Sequence, residues 1–408
     1  MSTSVQCRSC GQPDLELVLS LGNTPLANSL ITEEQLNQPE STYPLDLAFC
    51  PQCSLVQITE TVPPEELFRE YLYFSSFSDT MLQHAREIVQ RTLKARRLGA
   101  KSLAVEIASN DGYLLQYYKE AGIPVLGIEP AVNVARVAQE ERGVRTLTEF
   151  FNAETARQLV EQGEQADVIH ANNVLAHVAD LNGFVEGLGI LLREGGVAII
   201  EVPYVKDLID RCEFDTIYHE HLCYFSLTSL DRLCQRHGLL IQDVEHLQIH
   251  GGSLRVFVGK DRNQSAAVRD LLDEEAGWGV SYPGFYRGFA RRVEELKRSL
   301  RTFIFDLKNK QQRLAAYGAA AKGSTLLNYF QIGKEALDFV VDRSTYKQGR
   351  YMPGVHLQIY SPAKLLEEMP PYVLLLTWNF AHEILEQQAE YRRRGGRFII
   401  PVPDLRVV

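Results

Sequence analysis

The sequence predicts an α/β protein in three parts: a central doubly wound sheet, a small cysteine-knuckle lobe before it and a second Rossmann-like α/β unit after it. Three observations predict this. Two C-x-x-C pairs fall within the first 53 residues, a series of apolar strand-like runs ending in small polar residues occupies the middle, and a second such series begins at Leu314. At 408 residues the chain exceeds a single core, and boundaries are expected at 1–82, 83–262 and 263–408. Apolar content of 45% with 23% charged residues is ordinary globular composition. A net charge of −10 argues against a nucleic-acid partner. Met1 to Cys7 has no basic-then-apolar signal segment and no apolar run reaches the length of a membrane span. A cytoplasmic monomer or weak homodimer with no membrane partner is therefore expected, its seven cysteines being thiols or metal ligands before disulfides.

The N-terminal lobe opens with Cys7-Arg8-Ser9-Cys10-Gly11 and closes with Cys50-Pro51-Gln52-Cys53. Two such knuckles let four thiolates converge tetrahedrally on one Zn2+; four cysteines leave no open coordination position, so the zinc is structural. A redox pair would sit beside a βαβ unit, and neither does. The turn-rich Leu21-Gly22-Asn23-Thr24-Pro25-Leu26-Ala27-Asn28 lies between them. Tyr71-Leu72-Tyr73-Phe74-Ser75-Ser76 follows, and alternation places Tyr71, Tyr73 and Ser75 on one face and Phe74 and Ser76 on the other. Its hydroxyls suit a sugar or phosphate, and its rings equally suit packing between lobes. A helix is expected from Asp79 towards Leu98.

The central unit begins with Leu103-Ala104-Val105-Glu106-Ile107-Ala108-Ser109-Asn110-Asp111-Gly112-Tyr113-Leu114, a strand passing through a turn of small residues into a helix. The turn is not G-x-G-x-x-G, which disfavours a dinucleotide. Glu106, Ala108, Asn110 and Gly112 have the layout of an S-adenosylmethionine loop. The next strand ends at Glu129-Pro130, where an acid can accept both ribose hydroxyl protons, although a solvated strand-end charge is the plainer alternative. A third strand ends at Asn172-Asn173, and His177 lies one helical turn beyond, where an ordinary packing role is the alternative. A fourth strand, Gly196 to Pro203, a helix from Leu227 to Gly238 and a closing hairpin complete the outline of a class I (Rossmann-like) methyltransferase sheet.

Between that fourth strand and the helix lies Tyr218-His219-Glu220-His221, the densest acid–base cluster of the chain. In an extended segment His219 and His221 share one face and Tyr218 and Glu220 the other. His219-Glu220 begins H-E-x-x-H, but the second histidine position is Cys223, so the metalloprotease motif fails. An H-x-H metal pair is a second alternative. The third is general-base catalysis, with Glu220 orienting a ring or stabilising its cation and Tyr218 donating to an oxyanion. Methyl transfer to carbon needs both a base and an oxyanion donor, and the cluster fits that demand. The C-terminal unit carries Gly318-Ala319-Ala320-Ala321-Lys322-Gly323-Ser324-Thr325, a turn resembling a phosphate cradle without Walker spacing, and Asp342 at the next strand end, where it can address a ribose.

Taken together, these motifs resemble the family of S-adenosylmethionine-dependent C-methyltransferases acting on nucleotide-linked 4-keto deoxysugars. The resemblance spans essentially the whole chain. It implies a zinc-binding domain (Cys7, Cys10, Cys50, Cys53), a central methyltransferase domain (Glu106, Ala108, Asn110, Gly112, Tyr113, Leu114, Glu129, Pro130, Asn172 and Asn173 at the donor) and a C-terminal Rossmann-like domain. The outer lobes then bind the nucleotide sugar through Ser75, Ser76, Gly318, Ala319, Ala320, Lys322, Gly323, Thr325 and Asp342. It further implies His221 as the base, with Glu220 and Tyr218 beside it, His177 assisting and Tyr71 or Tyr73 contributing. The expected reaction removes the proton next to the C4 ketone, typically at C3, and methylates the resulting enolate. An O- or N-methyltransferase of another small metabolite would share the donor domain.

Overall fold

A computed structural model of the chain describes residues 5–64, 67, 74–261 and 263–408, and statements of absence below refer to those. Tyr71 and Tyr73 fall outside them. Three sheets carry the architecture. The N-terminal one is antiparallel, ordered β1 (Glu16–Pro25), β2 (Thr42–Phe49), β3 (Val56–Ile58), β9 (Cys223–Tyr224). Its last strand comes from the middle of the chain: Val56 pairs with Tyr224 and Gln57 with Cys223. Nothing local in the sequence announces this, because two residues are too short for a periodicity.

The central sheet has seven strands: β4 (Ala104–Ile107), β5 (Val125–Ile128), β6 (Thr146–Leu147), β7 (Ala166–Asn172), β8 (Leu192–Pro203), β10 (Leu240–Leu247) and β11 (Ser253–Gly259). They are ordered β6-β5-β4-β7-β8-β11-β10. β4 to β8 are mutually parallel and β11 inserts antiparallel. Both faces of β4 are covered, which is why its residues read as a continuous apolar run broken only by Glu106. The helix Asp79–Ala95 starts at its Ser78 cap and presents Met81, Ala85, Ile88 and Val89 to the sheet's apolar cluster, the i, i+4, i+7 stripe of an amphipathic helix.

The C-terminal sheet is ordered β14 (Ile359–Tyr360), β13 (Val340–Val341), β12 (Leu314–Tyr317), β15 (Tyr372–Leu375), β16 (Arg397–Ile400), β17 (Arg406–Val407), parallel apart from β17. This is a Rossmann-like unit. One buried cluster runs through residues of all three sheets. Among the described residues no helix is long and apolar enough to cross a membrane.

The expected alternation over residues 71–76 does not continue into the described part, because Ser75–Phe77 form a 3-10 turn. Ser75 N–H donates to Asn110 Oδ1 at 2.9 Å and the Ser76 hydroxyl to Asp111 Oδ2 at 2.5 Å. Both serines therefore brace the loop after β4.

Candidate active site

The four knuckle thiols meet. Cys7 and Cys53 Sγ are 3.4 Å apart, Cys10 and Cys50 Sγ 3.5 Å, and all four lie within 4.8 Å of one another. Tetrahedral Zn–S bonds of about 2.3 Å set sulfurs about 3.8 Å apart, so the set fits one zinc ion. Each knuckle closes on a main-chain bond, Gly11 N–H to Cys7 O and Ser54 N–H to Cys50 O. Among the described residues no other convergent group of three or more His, Cys, Asp or Glu exists, which removes the H-x-H metal pair.

Glu106, Glu129 and Asn172 lie in or directly after β4, β5 and β7, towards the carboxyl ends where open parallel sheets bind ligands. The loop after β4 holds Ala108 at φ 54°, Asn110 at φ 48° and Gly112 at φ 77°. Left-handed backbone at two non-glycine residues is a strain that a binding loop tolerates for close approach. At Gly112 a Cβ would also press on Val144 at 3.2 Å. Asn110 N–H and Ala131 N–H donate to the two oxygens of Glu129 at 2.9 and 2.8 Å, clamping the loop to the end of β5 across Pro130. Burial pushes Glu129 up to about 7 despite those bonds. Burial, then the Asp111 and Glu129 charges, push Glu106 well above the carboxylate range, while Tyr113 donates to it. Glu106 Oε2 and Asn172 Oδ1 are buried without a partner among the described residues. Such acceptors suit the ammonium and hydroxyl groups of S-adenosylmethionine. Asn173, at φ 54°, ties β7 to β8 through its N–H to Glu201 O, and Leu114 packs in the cluster with Met81 and Tyr118.

The acid–base cluster is a turn. His221 N–H bonds to Tyr218 O at 2.8 Å, which brings residues 218 and 221 to the same side, so the extended alternation expected there is corrected. The Tyr218 hydroxyl lies 2.8 Å from His221 Nε2, and His221 Nδ1 lies 2.8 Å from Thr216 O. A carbonyl only accepts, so Nδ1 carries the proton and Nε2 offers its lone pair. The carbonyl of Thr216, which the sequence could not single out, therefore sets the tautomer. Glu220 does not orient the ring: Asn28 Nδ2 donates to its two oxygens at 2.7 and 2.9 Å. Burial pushes Glu220 up to about 7, against that bond and the Lys347 charge. His177 stands edge-on to His221 with ring centroids 4.7 Å apart, and burial pushes it down to about 4. His219 turns away, donating from Nε2 to Pro44 O at 3.1 Å, a brace to β2.

In the C-terminal turn, Asp342 Oδ2 accepts Ala319 N–H at 2.7 Å and Oδ1 accepts Ser344 N–H at 2.8 Å, so the carboxylate caps the turn. A Cβ on Gly318 (φ 97°) would meet Thr377 Oγ1 at 2.5 Å, and one on Gly323 would meet Leu376 Cβ at 2.9 Å. These glycines serve close packing of helix Ala321–Phe330, which begins after Ala320, on the strand ends. The Lys322 ammonium lies 4.6 Å over the Trp378 ring and donates to Asn379 Oδ1 at 3.1 Å; burial lowers its pKa, while the Asp215 and Glu213 charges oppose that. Thr325 Oγ1 donates to Ile217 O at 3.2 Å and Ser324 Oγ to Ala27 O at 2.8 Å. Gly318, Ala319, Ala320, Lys322, Gly323, Thr325 and Asp342 thus lie at one turn, and this segment clamps the two segments that carry Asn28 and His221.

The central sheet belongs to an S-adenosylmethionine-dependent methyltransferase. Three family models match consecutive stretches, described as "Putative zinc binding domain" over residues 7–68, "Methyltransferase domain" over 79–244 and "C-methyltransferase C-terminal domain" over 248–403. The C-methyltransferase NovU of Streptomyces niveus is 36% identical over 406 residues, spanning 99% of this chain and 96% of that protein. The ubiquinone biosynthesis O-methyltransferase of Methylobacterium sp. (strain 4-46) is 26% identical over 207 residues, 45% of this chain and 80% of that one. The structure of magnesium protoporphyrin IX methyltransferase (ChlM) from Synechocystis PCC 6803 with bound SAM overlays with a TM-score of 0.34 at 13% identity, covering 44% of this chain and 79% of that one. The chain belongs to the C-methyltransferase family and is an S-adenosylmethionine-dependent enzyme with a zinc-binding domain.

Proposed function

We propose that the enzyme methylates a ring carbon adjacent to the C4 ketone of a nucleotide-linked deoxysugar, C3 being the expected position. His221 is the base. The observation that carries this reading is the His221 tautomer, with Nδ1–H held by Thr216 O and the Nε2 lone pair directed at the Tyr218 hydroxyl. A base whose proton acceptor is fixed in direction suits abstraction of a weakly acidic proton next to a ketone.

S-adenosylmethionine, when bound, supplies an electrophilic methyl group on a sulfonium sulfur; Glu106, Asn110, Glu129 and Asn172 would hold it. Substrate displaces the Tyr218 hydroxyl from Nε2, and that hydroxyl then donates to the ketone oxygen. His221 takes the α-proton, the C–H electron pair moves into the ring, and the oxygen gains the negative charge that Tyr218 stabilises. His177, held neutral by burial, adds no like charge beside the imidazolium. Glu220 supplies a carboxylate next in sequence. The parts, expected at 1–82, 83–262 and 263–408, act as three units around this turn, with the first boundary falling before helix Asp79–Ala95, which packs on the central sheet.

The test follows α-hydrogen exchange of a thymidine-diphosphate-linked 4-keto-6-deoxyhexose in deuterated water. His221→Ala and His221→Asn are expected to abolish exchange and methylation together, and proton NMR of the wild-type product to place a C-methyl group at C3. Exchange at wild-type rate in both variants removes His221 as the base.

A further inference from the structure

Asn28 belongs to the N-terminal lobe, 192 residues from the glutamate it holds. Its Nδ2 donates to both oxygens of Glu220 at 2.7 and 2.9 Å, and Glu220 is 3% exposed. Among the described residues no other side chain hydrogen-bonds that carboxylate. A buried carboxylate loses its charge unless donors replace the water it gave up. The main chain beside Asn28 is fixed in turn, because Ser324 Oγ donates to Ala27 O at 2.8 Å from the C-terminal lobe. That bond is buried. Lys347, also from the C-terminal lobe, adds an opposing charge to Glu220 but spends a donor on Ala319 O at 2.8 Å. Glu220 is therefore the point at which all three parts of the chain act on one side chain beside the candidate base.

We propose that Asn28 is a positioning residue for the methyl-transfer reaction, which favours the ionised form of Glu220 and fixes it next to His221, and so makes turnover depend on the contact between the N-terminal lobe and the catalytic turn. The inference rests on the reading of residues 218–221 as the catalytic turn. Asn28 acts through Glu220 and touches neither reactant. Its amide is suited to this task because it donates without carrying charge of its own, so its hold does not change with pH.

The test uses the full-length, zinc-loaded enzyme with carboxyl-13C glutamate, the Glu220 resonance being identified by its loss in Glu220→Gln. In Asn28→Ala the Glu220 titration midpoint is expected to rise by about one to two pH units, the worth of a hydrogen bond to a charged group. The acid limb of kcat for the thymidine-diphosphate-linked 4-keto-6-deoxyhexose should rise with it, while KM for S-adenosylmethionine stays unchanged. Asn28→Asp preserves shape and sets a second carboxyl against Glu220, so it should move the midpoint upward as well, which keeps the test valid where the alanine variant folds poorly. An unmoved midpoint in both variants overturns the proposal, as does a fall in kcat with an unchanged pH profile. Wild-type turnover by Glu220→Gln would instead overturn the catalytic reading of the turn, and the Asn28-dependent midpoint tells the two failures apart.

Discussion

His219 and His221 are two residues apart and differ entirely in what their ring nitrogens meet. The first donates to a carbonyl of β2, while the second has one nitrogen fixed by Thr216 O and the other facing a phenol. Composition marks both as acid–base side chains, and only the fold separates brace from candidate base. The same holds for Tyr218, which period-2 alternation puts opposite His221 and the turn puts 4.1 Å from it, ring centroid to ring centroid. Tyr218→Phe keeps that packing and deletes one hydroxyl. Loss of a good oxyanion donor costs roughly 3–4 kcal/mol of barrier, so single-turnover methylation should slow by about a hundredfold to a thousandfold with the folded-state circular dichroism unchanged. A slowing below about threefold would remove Tyr218 from the chemistry.

At the scale of elements, the strands and the tight turn after β4 were legible because their causes are local. Runs of apolar residues covered on both faces mark β4, β5 and β7, and small residues at 108–112 mark a tight approach. The contacts of the C-terminal turn were not legible, for the converse reason. Gly318 to Thr325 has phosphate-turn chemistry, but what it binds is set by partners distant in sequence: Asp342 at 23 residues, Ile217 at 108 and Ala27 at 297. Thr325→Val keeps the volume and removes the hydroxyl from a buried bond. Leaving Ile217 O without that donor should lower the unfolding free energy by about 1–3 kcal/mol in urea titration. A further consequence belongs to β8. Burial alone would raise Glu201, but the bond to His84 and the Arg255 guanidinium reverse this and hold it at about 2, below its ordinary 4.5. A depressed carboxylate contributes stability that is present above about 4.5 and lost as the pH falls towards 2. The stability gap between wild type and Glu201→Gln should therefore be wide at pH 7, where the variant leaves the Arg255 charge buried, and should narrow below pH 4.5 in urea midpoints taken across that range.

For the whole molecule, the zinc-binding knuckles are connected to the candidate catalytic turn through one sheet. The knuckles hold the sheet that ends in β9, and β9 begins two residues after His221. Stripping zinc with a strong chelator, or Cys50→Ser, should lower the melting temperature and abolish the exchange of substrate α-hydrogen at the same time, because the turn loses one of its two anchored ends. Loss of metal, followed by a chromogenic chelator, with undiminished exchange would show the turn to be self-supporting. Arg232, which donates to Ser54 Oγ and Gln52 O from helix Leu227–Arg236, fastens the second knuckle to the central part and should delay that loss.

The pairing of β3 with β9 also sets a rule for anyone recombining these lobes. A graft that exchanges residues 7–68 alone must bring a strand edge able to receive Cys223 and Tyr224. It must also bring an amide in the place of Asn28 and a carbonyl in the place of Pro44. The transferable piece is thus discontinuous, the N-terminal segment together with residues 216–225, and a seam cut at any single point of the chain between them would separate the N-terminal lobe from the turn it pairs with.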